Sequence, residues 1–105
     1  MKEFRLNSGT IVTIDDTKVV ILRSEDKGVS KKFVAGRAKG ELVIRLSSIS
    51  SLIIYGDYLL ICGLGLPTPK EFSSSNLVQI KQYPNCIVGN EEEIRGIFEY
   101  IKNLI

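Results

Sequence analysis

Histidine is absent from this chain of 105 residues. Enzymes use histidine more often than any other side chain as a general base, because its pKa lies close to neutral pH. A serine or cysteine nucleophile in this chain would therefore need another base. The serines stand in two groups, within residues 47–51 and 73–75, and this pattern is more typical of turns than of nucleophiles. The sequence predicts that the protein is not an enzyme.

Cysteine is scarce, with Cys62 and Cys86 as its two occurrences. Without histidine these two residues do not complete a zinc site, and we expect no bound metal. Cys62 lies in an apolar run and is expected in the core, whereas Cys86 is expected nearer the surface. A disulfide between them stays open as an alternative, but two free thiols in a reducing cytoplasm are our interpretation. The segment Gly63–Leu66 lacks the glycine spacing of a phosphate-binding loop, and we expect no cofactor.

The chain has no apolar run long enough to cross a membrane. The longest run, Leu52–Leu66, has 15 residues and is interrupted by Asp57 and by glycines, whereas a spanning helix needs about 20 apolar residues. It is better explained by two buried strands with a turn between them. The first residues also lack the pattern of a signal peptide. We therefore expect a cytoplasmic protein that is not transmembrane.

The net charge is small, at +2 from 14 basic and 12 acidic side chains, and does not by itself indicate a nucleic-acid partner. Residues 1–45 carry +4, however, and residues 46–105 carry −2. A candidate anion-binding site lies in the first half: Arg23, Lys27, Lys31, Lys32, Arg37, Lys39 and Arg45. The alternative is a solvated edge that resists aggregation between sheets. Acidic residues are interspersed with the basic ones, and Phe33 is the one aromatic residue among them, so we favour the alternative.

Short β-branched and apolar segments predict a single, mainly β domain over residues 1–105. The predicted strands are Thr10–Ile14, Lys18–Arg23, Leu42–Leu46, Ile49–Tyr55, Tyr58–Cys62 and Leu77–Tyr83, with further candidates at Val29–Ala35 and Ile87-Val88. Asp15–Thr17 and Gly56-Asp57 are typical of hairpin turns. The four apolar residues Val19–Leu22 predict a strand that is buried on both faces.

The C-terminal segment predicts an amphipathic helix. Asn90 is the expected N-cap, with Glu93 three residues later as in a capping box. An apolar stripe follows at helical spacing: Ile94, Ile97, Phe98, Ile101, Leu104 and Ile105. Gly96 weakens a helix and predicts close packing at that point. Strands followed by one helix favour a β-barrel or β-sandwich that the helix closes.

This pattern resembles the bacterial pleckstrin-homology-like domains. The resemblance is carried by Gly9–Ile11, Val19–Arg23, Gly40 with Val43–Leu46 and Ile49, Asp57–Leu60, and Asn76–Ile80 ahead of the helix. It implies a partly open barrel of two orthogonal sheets, with the helix plugging one end. Similar domains serve mostly as binding or assembly modules, and the resemblance carries over no site residues.

Two functions follow as hypotheses. The first is a non-catalytic binding or assembly module that acts through protein–protein contact or self-association. The second is an anion-binding module, in which the basic residues of segment 23–45 hold lipid phosphate headgroups or a nucleic-acid backbone. Pleckstrin-homology domains that hold inositol phosphates use basic residues near their N-terminus, and such binding weakens steeply as salt rises.

Two apolar groups leave their role open at this point. A flank of the helix, at Ile94, Ile101 or Ile105, either packs within the chain, which we favour, or pairs with another subunit. Tyr55 and Tyr58 at the hairpin turn, with Leu64, Leu66 and Phe72 farther on, either form a partner site or lie under the loop.

Overall fold

The computed structural model describes residues 1–23, 40–68 and 77–105. The described part forms seven strands and two α-helices: β1 (Lys2–Arg5), β2 (Thr10–Ile14), β3 (Lys18–Arg23), β4 (Gly40–Arg45), β5 (Ile49–Tyr55), β6 (Tyr58–Gly63), α1 (Leu77–Gln82), β7 (Cys86–Val88) and α2 (Glu91–Lys102). A 3-10 turn, Leu46–Ser48, joins β4 to β5. The mainly β fold with a C-terminal helix is therefore confirmed. The predicted strand Val29–Ala35 lies outside the described residues.

The first sheet is antiparallel, in the order β1-β2-β3-β4. Its central hairpin is closed by Asp15, whose Oδ1 accepts hydrogen bonds from the backbone N–H groups of Thr17 and Lys18, at 2.8 and 2.9 Å. Such a side-chain turn is what aspartate at this position predicts. The turn between β1 and β2 contains Gly9 with a φ of 94°, a conformation that glycine adopts without steric cost.

The second sheet is also antiparallel, in the order β5-β6-β7, and is separate from the first sheet in the described part of the chain. Gly56 and Asp57 form the predicted two-residue turn between β5 and β6. At the far end of β6, a Cβ atom on Gly63 would lie 2.3 Å from the carbonyl oxygen of Ser48. Glycine is required there because the backbone that leads into β5 passes this close to β6.

The main core lies between the inner faces of the sheets and helix α2. Its members are fully or almost fully buried: Leu6, Val12, Ile14, Val19, Ile21, Ile44, Leu59, Ile61, Ile87, Ile94, Ile97 and Ile101. The helix supplies the last three of these, which confirms that this part of its stripe packs within the chain. Leu104 and Ile105 follow the end of the helix and are exposed, so the prediction was wrong for them. Asn90 and Glu93 form the predicted capping box.

A second apolar cluster lies on the other face of β6, under α1. It comprises Tyr58, Leu60, Cys62, Ile80 and Cys86. β6 is therefore buried on both faces, which explains why its apolar residues run without interruption. Cys62 is buried as predicted, and neither Cys62 nor Cys86 forms a disulfide. The prediction for Cys86 was wrong, because this residue has no exposed surface.

Three further predictions were wrong. The segment Leu77–Tyr83 is a helix over Leu77–Gln82 instead of a strand; an alternating pattern this short also fits a helix, and contacts with distant residues decide between them. The strand Lys18–Arg23 is buried on one face only. Gly96 is exposed, and a Cβ there would lie 3.8 Å from the Phe4 ring, so no close packing requires glycine.

Candidate interaction surface

The face of the first sheet that points away from the core forms the candidate site, and we call it the outer face. Because side chains alternate along a strand, the inner residues are buried and the intervening ones form this face. The register aligns its residues in two complete rows. The first row is Arg5, Ile11, Leu22 and Glu41, and the second is Glu3, Thr13, Val20 and Val43.

The centre of the outer face is apolar. Leu22 is 42% exposed and Val43 is 54% exposed, and Ile11 and Val20 are half-buried. Val20 and Val43 lie directly opposite each other on β3 and β4, so their side chains form one continuous apolar area. Apolar surface that is contiguous, and not scattered as single residues, is typical of an interaction site.

The border of the outer face is charged. Arg5 Nε lies 2.6 Å from Glu3 Oε2 on β1, and Lys18 Nζ lies 2.9 Å from Asp15 Oδ2 at the hairpin turn. The Lys18 ammonium holds the pKa of Asp15 well below its usual range, helped by hydrogen bonds from the Thr17 and Lys18 backbone and from the Thr17 hydroxyl. Asp15 therefore stays ionised, and the face combines an apolar centre with a charged border, as protein interfaces do.

A shallow pocket extends this surface around the edge of β4. It has a volume of about 150 Å³ and is lined by Val43, Ile44, Arg45, Ser48, Leu64 and Leu66. Cofactors and drug-sized ligands occupy cavities of about 300–1,000 Å³, so this pocket is too small for them. Leu64 is almost fully exposed and adds apolar surface next to Val43.

The two tyrosines at the β5–β6 turn have different environments. Tyr55 is exposed, whereas Tyr58 is buried in the core.

The structure does not bring the two described residues of the basic stretch together. Arg23 lies on the inner face at one end of β3, opposite Gly40, whereas Arg45 lies on the outer face at the other end, opposite Lys18. Arg45 is exposed. The remaining members, Lys27, Lys31, Lys32, Arg37 and Lys39, lie outside the described residues.

The guanidinium of Arg23 is directed into the protein. It donates hydrogen bonds to the backbone carbonyl oxygens of Gln82, Tyr83 and Cys86, where α1 ends and β7 begins. A cation at this place stabilises the carbonyl end of a helix. The sequence contained one signal for this burial, because Val19, Ile21 and Arg23 alternate along β3 and share a face.

Sequence reasoning missed a second buried polar residue at the same corner. The Asn85 side chain has no exposed surface, and its Nδ2 donates to the carbonyl oxygens of Ile61 and Pro67, at 2.8 and 2.9 Å. Burial raises the pKa of the neighbouring Tyr58, and the charges of Cys86, Tyr55 and Asp57 add to this effect. These groups hold the second sheet and α1 together and do not reach the outer face.

Within the described ranges, no three side chains of the metal-ligating types come together. Neither α1 nor α2 has the length and the apolar character of a membrane-crossing helix. Comparison of the chain with protein-family models, with curated proteins and with solved structures finds no match.

Proposed function

We propose that the chain is a non-catalytic binding or assembly module that acts through protein–protein contact, with the outer face as its contact surface. The observation that carries this proposal is the apolar centre at Val20, Leu22 and Val43, which is bordered by ionised side chains. Removal of exposed apolar area from water drives most protein association. A charged border sets the orientation of the partners and excludes unsuitable ones.

The proposal includes a pleckstrin-homology-like architecture. Four strands followed by three strands and a C-terminal helix, with the helix against the core between the sheets, support it. It also includes a reducing, cytoplasmic location, which Cys62 and Cys86 support because neither forms a disulfide.

The lack of a catalytic role is supported by the structural use of polar groups that could otherwise react. Asp15 closes a hairpin turn, and Glu93 belongs to the capping box of α2. The Ser50 hydroxyl donates a hydrogen bond to the carbonyl oxygen of Cys62, at 3.3 Å. Each group thus has a local role in the fold.

The anion-binding module stays an alternative proposal, with less support. Arg23 donates to three backbone carbonyl groups, and of the two described members Arg45 is the exposed one. This alternative predicts binding to anionic vesicles or single-stranded DNA that weakens steeply between about 50 and 200 mM salt.

The proposal is tested by affinity capture of the tagged protein from a lysate of its source organism. The variant L22K/V43K places two charges in the apolar centre and is expected to lose the captured protein. The control L104K/I105K is matched to it, because Leu104 and Ile105 are 42% and 56% exposed but lie at the end of the chain. Circular dichroism and thermal melting establish that both variants are folded. Capture that is unchanged in L22K/V43K, or lost equally in the control, would overturn the proposal.

A further inference from the structure

We infer that the partner of the outer face is a second copy of this chain, packed face to face about a two-fold axis parallel to the strands. The inference rests on the proposed function and names the partner of the same surface. Its basis is the row Arg5, Ile11, Leu22 and Glu41, which crosses all four strands. The row begins with a positive charge, continues with two apolar side chains and ends with a negative charge.

A row with this pattern is complementary to itself. The two-fold axis exchanges the two edges of the sheet, so β1 of one copy lies over β4 of the other. Arg5 then lies over Glu41 of the second copy, and Ile11 lies over Leu22 of the second copy. Both pairs occur twice, as symmetry requires of such an interface. Packed sheets deviate from alignment by about 30°, a rotation that long charged side chains accommodate.

The residues of the row are available for these contacts. Arg5 uses its Nε for the ion pair with Glu3, and a guanidinium carries further N–H donors in the same plane. The Arg5 and Glu41 side chains are exposed. The same operation brings Asp15 of each copy close to Lys18 of the other, which extends the ion pair that these residues make within one chain.

Charge also selects this axis over the other face-to-face arrangement. The other arrangement has its two-fold axis across the strands, along the row Glu3, Thr13, Val20 and Val43. This axis would place each residue of that row over the same residue of the second copy. Glu3 would then lie over Glu3 of the second copy, and like charges at this distance repel. With the axis parallel to the strands, Glu3 lies over Val43 of the second copy, next to the exposed Arg45.

The size of the face sets the strength of the dimer. Beyond the two complete rows, the outer face has a partial third row formed by Asp15, Lys18 and Arg45. Four strands about 4.8 Å apart, and three side-chain rows about 6.8 Å apart, cover roughly 400 Å² on each copy. The total of about 800 Å² lies below the 1,200–2,000 Å² of stable complexes, so the dimer is weak and reversible. We expect a Kd in the range of about 10–100 μM, which requires measurements up to roughly millimolar protein.

The experiment is sedimentation velocity over a concentration series. Each of the single variants R5E and E41R creates two like-charge pairs across the dimer interface, at positions 5 and 41. We expect a Kd at least about 10-fold higher for each variant. The double variant R5E/E41R restores opposite charges in exchanged positions, and we expect a Kd within about 3-fold of the original. The control R95E reverses an exposed arginine on α2, whose partner Glu99 lies on the same helix, and leaves the Kd unchanged.

Two results would overturn the inference: a chain that stays monomeric at millimolar concentration, or a double variant no better than the single variants. The capture experiment distinguishes this failure from failure of the proposed function. A monomeric chain whose captured protein is lost in L22K/V43K has a different partner on the outer face, so the second copy is wrong and the proposed function stands. A monomeric chain whose capture does not depend on Leu22 and Val43 overturns both.

Discussion

The guanidinium of Arg23 lies 2.6 Å from the carbonyl oxygen of Cys86, to which it donates a hydrogen bond, although 63 residues separate them in sequence. It also donates to the carbonyl oxygens of Gln82 and Tyr83. One side chain of the first sheet thus fixes the end of α1 and the start of β7. The guanidinium of this arginine stabilises the fold and does not form part of a surface site.

We expect R23M to lower the free energy of unfolding by about 2–4 kcal/mol, because three carbonyl groups in a mostly buried place lose their donor. R23K should recover part of the loss, since an ammonium group keeps the charge but not the planar fork. Urea denaturation followed by circular dichroism measures these values.

The matched control is R45M, at the exposed end of the β3–β4 ladder. A change at an exposed position usually alters stability by less than about 0.5 kcal/mol. If R23M proves as stable as R45M, the hydrogen bonds of Arg23 do not stabilise the domain, and its role in the fold is wrong.

Ile97 tests whether the stripe of α2 belongs to the core. This side chain is fully buried, so I97D places a charge without a partner in an apolar environment, at a cost larger than a small domain tolerates. We expect no cooperative thermal transition in I97D and a nearly unchanged one in I105D, whose position is exposed. A folded I97D that has lost only its self-association would show that the stripe is an interface.

The two helices show how far sequence alone predicts this fold. Helix α2 was predicted because its signals are local: the cap at Asn90, the acidic first turn and the apolar period lie within the helix itself. Helix α1 was not predicted, because its six residues fit the period of a strand as well as that of a helix. Its position depends on the packing of Ile80 against the second face of β6 and on the hydrogen bonds from Arg23. Short segments take their conformation from contacts that no local pattern contains.

The outer face also contains strands that the sequence predicts correctly and strands that it does not. Alternation placed Val43 and Arg45 on one face of β4, as observed. The four apolar residues of β3 predicted burial on both faces instead, because a sequence does not tell how many layers cover a strand. Leu22 on β3 is exposed for this reason, so an apolar run that predicts core supplies the centre of the candidate site. β1, which carries Glu3 and Arg5, was not predicted at all, since its residues are largely charged.

The turn at Asp15 predicts a pH dependence of stability. Hydrogen bonds from Lys18 and Thr17 hold the pKa of Asp15 below its ordinary value. A carboxylate whose pKa is lower in the folded than in the unfolded state stabilises the fold at pH values above its unfolded pKa, near 4, and this contribution disappears as the pH falls towards the folded pKa. Stability should therefore decrease with acidification below about pH 5, partly through this residue.

We expect D15N to melt at a lower temperature than the original chain at pH 7, because the amide keeps the turn hydrogen bonds in part but loses the charge opposite Lys18. The difference should narrow as the pH falls below about 4, because this carboxyl group then takes up a proton in the unfolded original chain and its contribution to stability decreases. The neighbouring D16N is the control, since Asp16 is exposed beside the same turn and should show a smaller effect at pH 7. Thermal melts of the three proteins at half-unit steps from pH 7 to pH 2 measure both differences. A gap between D15N and the original chain that stays constant across this range would mean that Asp15 acts by its shape alone, and that its ionisation does not stabilise the hairpin.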